Sequence, residues 1–396
     1  MIKGESIKVA TERIKNIIII IITPIFFTCL FCSVFSKVFV EQIPFGILDL
    51  DNSSTSQTII TQFKDHPGFK VDYYAQSYDD INEKLKSGKI QAAIIIPKNF
   101  GRDVSEMKAP KTILLVDETN IVIGNNALSY GSAILNTLNA KIQLNVLQGN
   151  NMMPYVAQQS ISSLSFVERI LYDPQMCYGK YLIYGLIAVV AQQCYLAVIT
   201  PILIVEKSNI IKVKLRSKKG LKKVAVLCLR IFLCILCSYI GFAISLYCAG
   251  KYFNMPLRGT IVNYFKLITI FIINLTAVSF ILSIIFNKVS YFTRFSMCLS
   301  VPTFLTAGYT WPGYMMPGKF SHIVKVLWPI IYTADPLRAI SLRGTNNMEF
   351  LLPYIQQGIH YGLIWLPIGI LLYIVKVIVL KYMYKRFPIS IKLLEH

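Results

Sequence analysis

The sequence predicts a bundle of six transmembrane helices, with a mixed α/β domain inserted after the first span. Three observations carry that prediction. Of 396 residues, 54% are hydrophobic and only 15% charged, whereas roughly a quarter are charged in an ordinary soluble protein. Mean hydropathy is +0.54. Uncharged apolar runs of bilayer-spanning length recur along the chain, and between the first and second of them the pattern changes to short apolar segments alternating with polar ones.

About 20 apolar residues cross the hydrocarbon core as a helix. The spans that these runs predict fall at about 17–40, 181–205, 224–250, 264–287, 295–312 and 354–378. Residues 1–16 read as a cytoplasmic amphipathic helix leading into the first span. That span reads as an uncleaved anchor, because its apolar stretch exceeds a signal peptide's and no small-x-small cleavage site follows. Residues 178–396 form the transmembrane domain, with a cytoplasmic segment at 206–223.

Residues 41–177 form the inserted domain. "PFGILDLD" is an apolar run ending in turn residues, the pattern of a buried strand. A helix follows, capped by Asn52, Ser53 or Ser54. "FKVDYYA" alternates as a strand does. "SYDDINEKLKSGK" is a helix capped at Ser77 and stopped by Gly88. "IQAAIIIP" and "PKTILLVDET" are two more strands, and a long helical pattern runs from Asn120 to Gln148. A segment near "SISSLSFVERILYD" leads back to the second span. Strand and helix in alternation give a small mixed sheet.

Charge sets the orientation. The chain holds 40 basic and 20 acidic residues; 11 basic and 14 acidic ones lie within 41–177, leaving 29 basic and 6 acidic elsewhere. Basic residues in short loops favour the cytoplasmic side. The clusters at Lys3 to Lys15, 206–223, Lys288 to Arg294 and Lys381 to Lys392 share one side if both termini are cytoplasmic. The acidic inserted domain is then extracytoplasmic. Nucleic-acid binding is excluded as a reading, since it needs a basic soluble face. Eight of the nine cysteines lie in or beside apolar spans, so no disulfide framework is expected. Cys29 and Cys32, one helical turn apart, read as small packing residues.

No phosphate loop, nucleophile elbow or zinc-protease motif occurs. Asp49, Asp51 and Asp117 fall at strand ends, where turn capping is the ordinary use of aspartate. Neither a metal site nor a catalytic residue is expected. Polar groups inside spans are costly in lipid unless they face protein or water. Gln192 and Gln193 in the second span and Asn274 in the fourth are therefore candidates for a transport path or for helix–helix bonding. Adjacent glutamines point about 100° apart and cannot face one neighbour. Arg230 and Lys266, at span ends, read as snorkelling. No Asp or Glu falls in a span core, which argues against an ion-gradient-driven transporter.

"AGYTWPGYMMPG", residues 307–318, places helix breakers where a plain membrane helix would be expected. Non-helical backbone at membrane depth needs cover from protein or water. The following apolar piece is too short to cross, so 312–349 reads as a re-entrant outer segment. Tyr309, Trp311, Pro312 and Gly313 are the candidates for an outer gate. Asp335 and Arg338 read as a structural ion pair, with Asp335 capping a helix that Pro336 begins.

The order of parts carries a resemblance. One span, a large outward α/β domain and five spans, together with "FGILDLDNSSTSQTII", "LKSGKIQAAIIIPKNFGRDV", "VDETN", "LYDPQM", "FNMPLRGT", "AGYTWPGYMMP" and "ADPLRAISLRG", resemble the permease subunits of type-2 ATP-binding-cassette exporters with a large extracytoplasmic domain. The motifs run along nearly the whole chain. The resemblance implies a dimer of permease subunits, homo- or heteromeric, in a bacterial inner membrane. A separate ABC ATPase partner would carry ATP and magnesium, leaving this chain without an ATPase site or a cofactor of its own. It implies docking of that ATPase on Glu206, Lys207, Lys212, Lys214 and Arg216, and allows a periplasmic adaptor. The family's Glu-Arg-Glu and Gly-Thr cluster after the second span is incomplete in "VEKSNIIKVKLRSKKG". The rival reading is a membrane-anchored scaffold or sensor whose outward domain binds a ligand or partner.

Overall fold

The computed structural model describes residues 14–35, 39–106, 108, 110–149, 171–173, 177–211, 218–344 and 348–386. Most of the expected helix over 1–16, the return segment around 161–170, and Lys212, Lys214 and Arg216 lie outside them. The chain divides into two compact units. One comprises Lys37–Met176; the other joins Met1–Ser36 to Cys177–His396.

The smaller unit holds β1 (Ile43–Asp49), α2 (Ser54–Asp65), β2 (Phe69–Tyr74), α3 (Tyr78–Lys86), β3 (Ala92–Ile96), α4 (Phe100–Ser105), β4 (Ile113–Val116) and α5 (Ile121–Gly149), after α1 (Ile14–Val34) of the other unit. Its four strands are ordered β2-β1-β3-β4. β1 pairs in parallel with β2 and β3, and β3 antiparallel with β4. The two inner strands, β1 and β3, are apolar almost throughout, as burial on both sheet faces requires. Phe45 stacks on Phe63 with centroids 4.9 Å apart on one face, while Leu48 packs with Ile81 and Ile90 on the other. Ser53 caps α2 through Ser56 N–H, and Ser77 caps α3 through Asp80 N–H. Gly88, with φ +70°, follows the end of α3.

The helical unit adds α6 (Tyr178–Ile211), α7 (Lys218–Phe253), α8 (Ile261–Ile285), α9 (Val289–Thr306), α10 (Gly318–Leu327), α11 (Ala334–Arg343) and α12 (Met348–Arg386). Among the described residues, five helices are long and apolar enough to cross a membrane: α1, α6, α7, α8 and α12. α6 and α8 bury 72% of their apolar windows, whereas α1, α7 and α12 bury 22% or less. The first two therefore form the centre, and the other three turn apolar side chains outward. The expected span at 295–312 is displaced. α9 starts at Val289, ends at Thr306, and carries Arg294 among several hydroxyl residues. Gly308, with φ +75°, takes the left-handed conformation that stops a helix.

Within α1, Ile18–Ile22 form a π-helical turn in which Thr23 N–H bonds back to Ile18 O. Pro24 explains it: without an N–H it cannot bond to Ile20 O, four residues earlier. That carbonyl lies against Gly241 of α7, where a Cβ would come to 2.6 Å from it. Only glycine leaves room for the two backbones to meet there.

Candidate functional site

Three groups of polar side chains lie within the helical unit. At the N-terminal end of α6, Tyr181 and Tyr309 bond reciprocally. Tyr181 O–H donates to Tyr309 O at 2.8 Å, and Tyr309 O–H donates to Tyr181 O. The Arg338 guanidinium lies over both rings, 4.5 Å from the Tyr181 centroid and 4.4 Å from that of Tyr309. It donates to Tyr309 O at 3.2 Å and to Asp335 at 2.5 Å. Tyr354 donates to the other Asp335 oxygen at 3.1 Å. A cation held over two ring faces and paired with a carboxylate fixes three elements together.

This arrangement changes two expectations. Tyr309 is buried, 1% exposed, with its ring against Gly185. It is a packing residue in this conformation. Asp335 is not the cap of α11: Thr333 occupies that position, and Asp335 sits in the first turn with its carboxylate spent on Arg338 and Tyr354. Trp311 is exposed, and no atom lies within 4 Å of where a Cβ would stand on Gly313. Pro312 precedes a single 3-10 turn, Gly313–Met315.

The middle group comprises the amides within the helices. Gln192 is 2% exposed, and its Oε1 meets no donor among the described residues. Gln193 turns to α9, where Ser296 donates to its Oε1 at 3.0 Å. The two glutamines thus serve different neighbours. Asn274 of α8 donates to Gly358 O at 3.1 Å, and its Oδ1 faces Gly362, one turn further along α12. Tyr195 and Thr276 share a hydrogen bond of 2.6 Å between α6 and α8.

The third group closes the C-terminal end of α6. Lys207, 3% exposed, donates to Ser283 O (2.7 Å), Phe286 O (3.2 Å) and Asn287 Oδ1 (3.1 Å). Its three N–H donors are thereby used on the end of α8, where the helix dipole favours a cation. Glu206, 7% exposed, forms an ion pair with Arg230 of α7. Glu206 and Lys207 are therefore bracing residues inside the unit. Arg230, expected to snorkel, is an ion-pair partner. Lys223 also donates to Asn209 O at 3.1 Å, so both flanks of the α6–α7 connection are tied.

The strand-end aspartates of the smaller unit are caps. Asp49 accepts from Asp51 N–H and Asn52 N–H, and Asp117 from Thr119 N–H. Asp51 accepts from Gly101 N–H at 2.9 Å. Hydrogen bonding from the Ser53 side chain holds Asp51 below the usual carboxylate range, and the Thr119 backbone does the same for Asp117. Among the described residues, no group of His, Cys, Asp and Glu is arranged to hold a metal ion.

Sequence reasoning missed Tyr181, Tyr354, Gly185 and the Gly358-x-x-x-Gly362 spacing. Only the last has a readable signal, the small-xxx-small pattern of close helix packing.

Long apolar helices around a buried pair define a multi-pass membrane protein, and its polar groups brace helices without forming a catalytic centre among the described residues. The chain belongs to the ABC-2 family transporter proteins, whose family model matches residues 15–379. Comparison with curated proteins and with solved structures gives no match. Membership makes the chain the membrane component of an ABC transporter and implies an ABC ATPase as its partner.

Proposed function

We propose that this chain is the permease subunit of an ATP-driven exporter. It would carry a substrate out of the cytoplasm by alternating access, in a dimer with a second permease subunit. The observation that supports this reading is the family match over residues 15–379, joined to five long apolar helices and a compact α/β unit between the first and second of them. In this reading α9 is a sixth span: its 18 residues, at about 1.5 Å each, give a length close to the hydrocarbon thickness. Both termini are cytoplasmic, the smaller unit is extracytoplasmic, and the segment from Pro312 to Glu349 is re-entrant, its gate formed by Trp311, Pro312 and Gly313. An extracytoplasmic unit of that size suits hand-over to a periplasmic adaptor.

ATP and magnesium are bound by the separate ATPase, which docks on the basic connection between α6 and α7. Lys212, Lys214 and Arg216 supply the charge, while Glu206 and Lys207 hold the base of the connection. Purification of the chain from its native membrane should bring an ABC ATPase with it. Reversing the charge of Lys212, Lys214 and Arg216 should release that ATPase while leaving the chain in the membrane. If the native chain carries no ATPase, the reading fails.

A further inference from the structure

Three thiols from two helices gather in the helical unit. Cys29 and Cys32 lie near the end of α1, and Cys248 near the end of α7, five residues before Phe253. The Cys248 side chain lies beside that of Cys29, and Cys32 is within electrostatic reach of both. The contacts advance along the two helices together, since Ile20 meets Gly241 and Cys29 meets Cys248. The helices therefore run side by side in the same direction, drawn close at Gly241. Cys32 is 0% exposed within the core, whereas Cys29 and Cys248 are half-buried. Cys29 and Cys248 each lie about 7.5 Å from the end of their helix, within reach of the membrane surface.

We propose that Cys29 and Cys248 form a reversible disulfide that staples α1 to α7. The oxidant is a disulfide-bearing exchange partner, either a thiol oxidoreductase or a small disulfide. One thiol loses its proton and attacks a sulfur of the oxidant, releasing one thiolate of the oxidant. The second thiol loses its proton, attacks the mixed disulfide and releases the other thiolate. The chain loses two protons and two electrons, and the oxidant's disulfide becomes two thiols, on one molecule for an oxidoreductase and on two for a small disulfide. Cys32 keeps a packing role, because it is enclosed and shares a helix with Cys29. Oxidation forbids any movement that parts α1 from α7 at this end; reduction permits it. The proposal does not depend on what the protein transports.

The test uses the full chain in membranes, treated with a dipyridyl disulfide, then alkylated with a maleimide and digested without reductant. The expected result is a Cys29–Cys248 peptide pair with loss of two hydrogens, and loss of maleimide labelling at both thiols. Dithiothreitol should restore that labelling. C32S should retain the link, and C29S and C248S should each lose it. The proposal is overturned if both thiols stay open to maleimide, if the link joins two chains, or if it persists in C29S. Should C29S fail to reach the membrane, wild type and C32S decide the matter alone.

Discussion

Tyr309 lies so close to the backbone of Gly185 that a Cβ on Gly185 would come to 2.5 Å from its Cε1. The ring cannot retreat without giving up its bond to Tyr181 and its stacking on Arg338. Gly185→Ala should therefore destabilise the protein by about 1–3 kcal/mol, the usual cost of overpacking. Gly313→Ala meets open space and serves as the control. The measurement is thermal unfolding in detergent; equal midpoints for the two variants would contradict the packing described.

Removing one partner of the Glu206–Arg230 pair should cost unequally. The Glu206 side chain is 10% exposed and that of Arg230 32%. R230Q leaves a carboxylate in the less accessible place, so it should be the worse of the two. A fully buried pair loses about 3–5 kcal/mol when broken; partial exposure reduces this to about 1–3 kcal/mol. The exchanged pair E206R/R230E should recover part of the loss in chemical denaturation. No recovery would mean that the positions matter for reasons other than charge.

Asn274 and Gly362 should behave as a coupled pair. A Cβ on Gly362 would stand 2.7 Å from Asn274 Oδ1, so Gly362→Ala strains the α8–α12 contact. Asn274→Ala alone forfeits the bond to Gly358 O, worth about 0.6–1.7 kcal/mol in membrane helices. Together the substitutions should cost less than their sum, because the small side chain vacates the space that the new methyl needs. Strict additivity in a double-mutant cycle would refute the contact.

Acid should weaken the α/β unit. Asp51, Asp80 and Asp117 titrate below the ordinary value of 3.8, held down chiefly by hydrogen bonds from Ser53, Tyr73 and Thr119. A lowered carboxylate pKa contributes stability above its unfolded value and loses it as pH falls through the folded one. Burial lowers His66 as well, so its contribution is lost on acidification below its ordinary 6.5. Protection against hydrogen exchange in peptides from this unit in the full chain, corrected for the intrinsic rate at each pH, should fall in two stages, near pH 6 and again below pH 4. D51N should flatten the lower stage; an unchanged profile would remove the Asp51 cap from the account.

The local elements of the α/β unit were legible because their signals are local. Ser77 and Gly88 bracket α3, and apolar runs with turn residues mark β1 and β3. The long apolar helices were legible from hydropathy, though their ends were not: α9 ends at Thr306, six residues before the expected end, with the left-handed Gly308 just beyond it. The packing partners of Glu206, Lys207 and Tyr309 were not legible, for a common reason. Lys207 finds its acceptors 76 to 80 positions away, and Tyr309 packs on Gly185 from across the chain. A lysine beside a basic loop looks like surface, and an aromatic among glycines and prolines looks like an interface. Only the path of the chain shows which helix end receives each.

The order of the sheet bears on how the protein is made. β1 lies inside the sheet and is its first strand to leave the ribosome, yet its two partners, β2 and then β3 at Ile96, follow over about 50 residues. At roughly 5–20 residues per second, that interval lasts about 2.5 to 10 seconds. Until β2 and then β3 arrive, a strand apolar on both faces keeps an unpaired edge. The steps of biogenesis most exposed to mis-pairing thus fall early, and a chaperone that shields Ile43 to Leu48 during those seconds would protect more of the final structure than one acting on the finished chain.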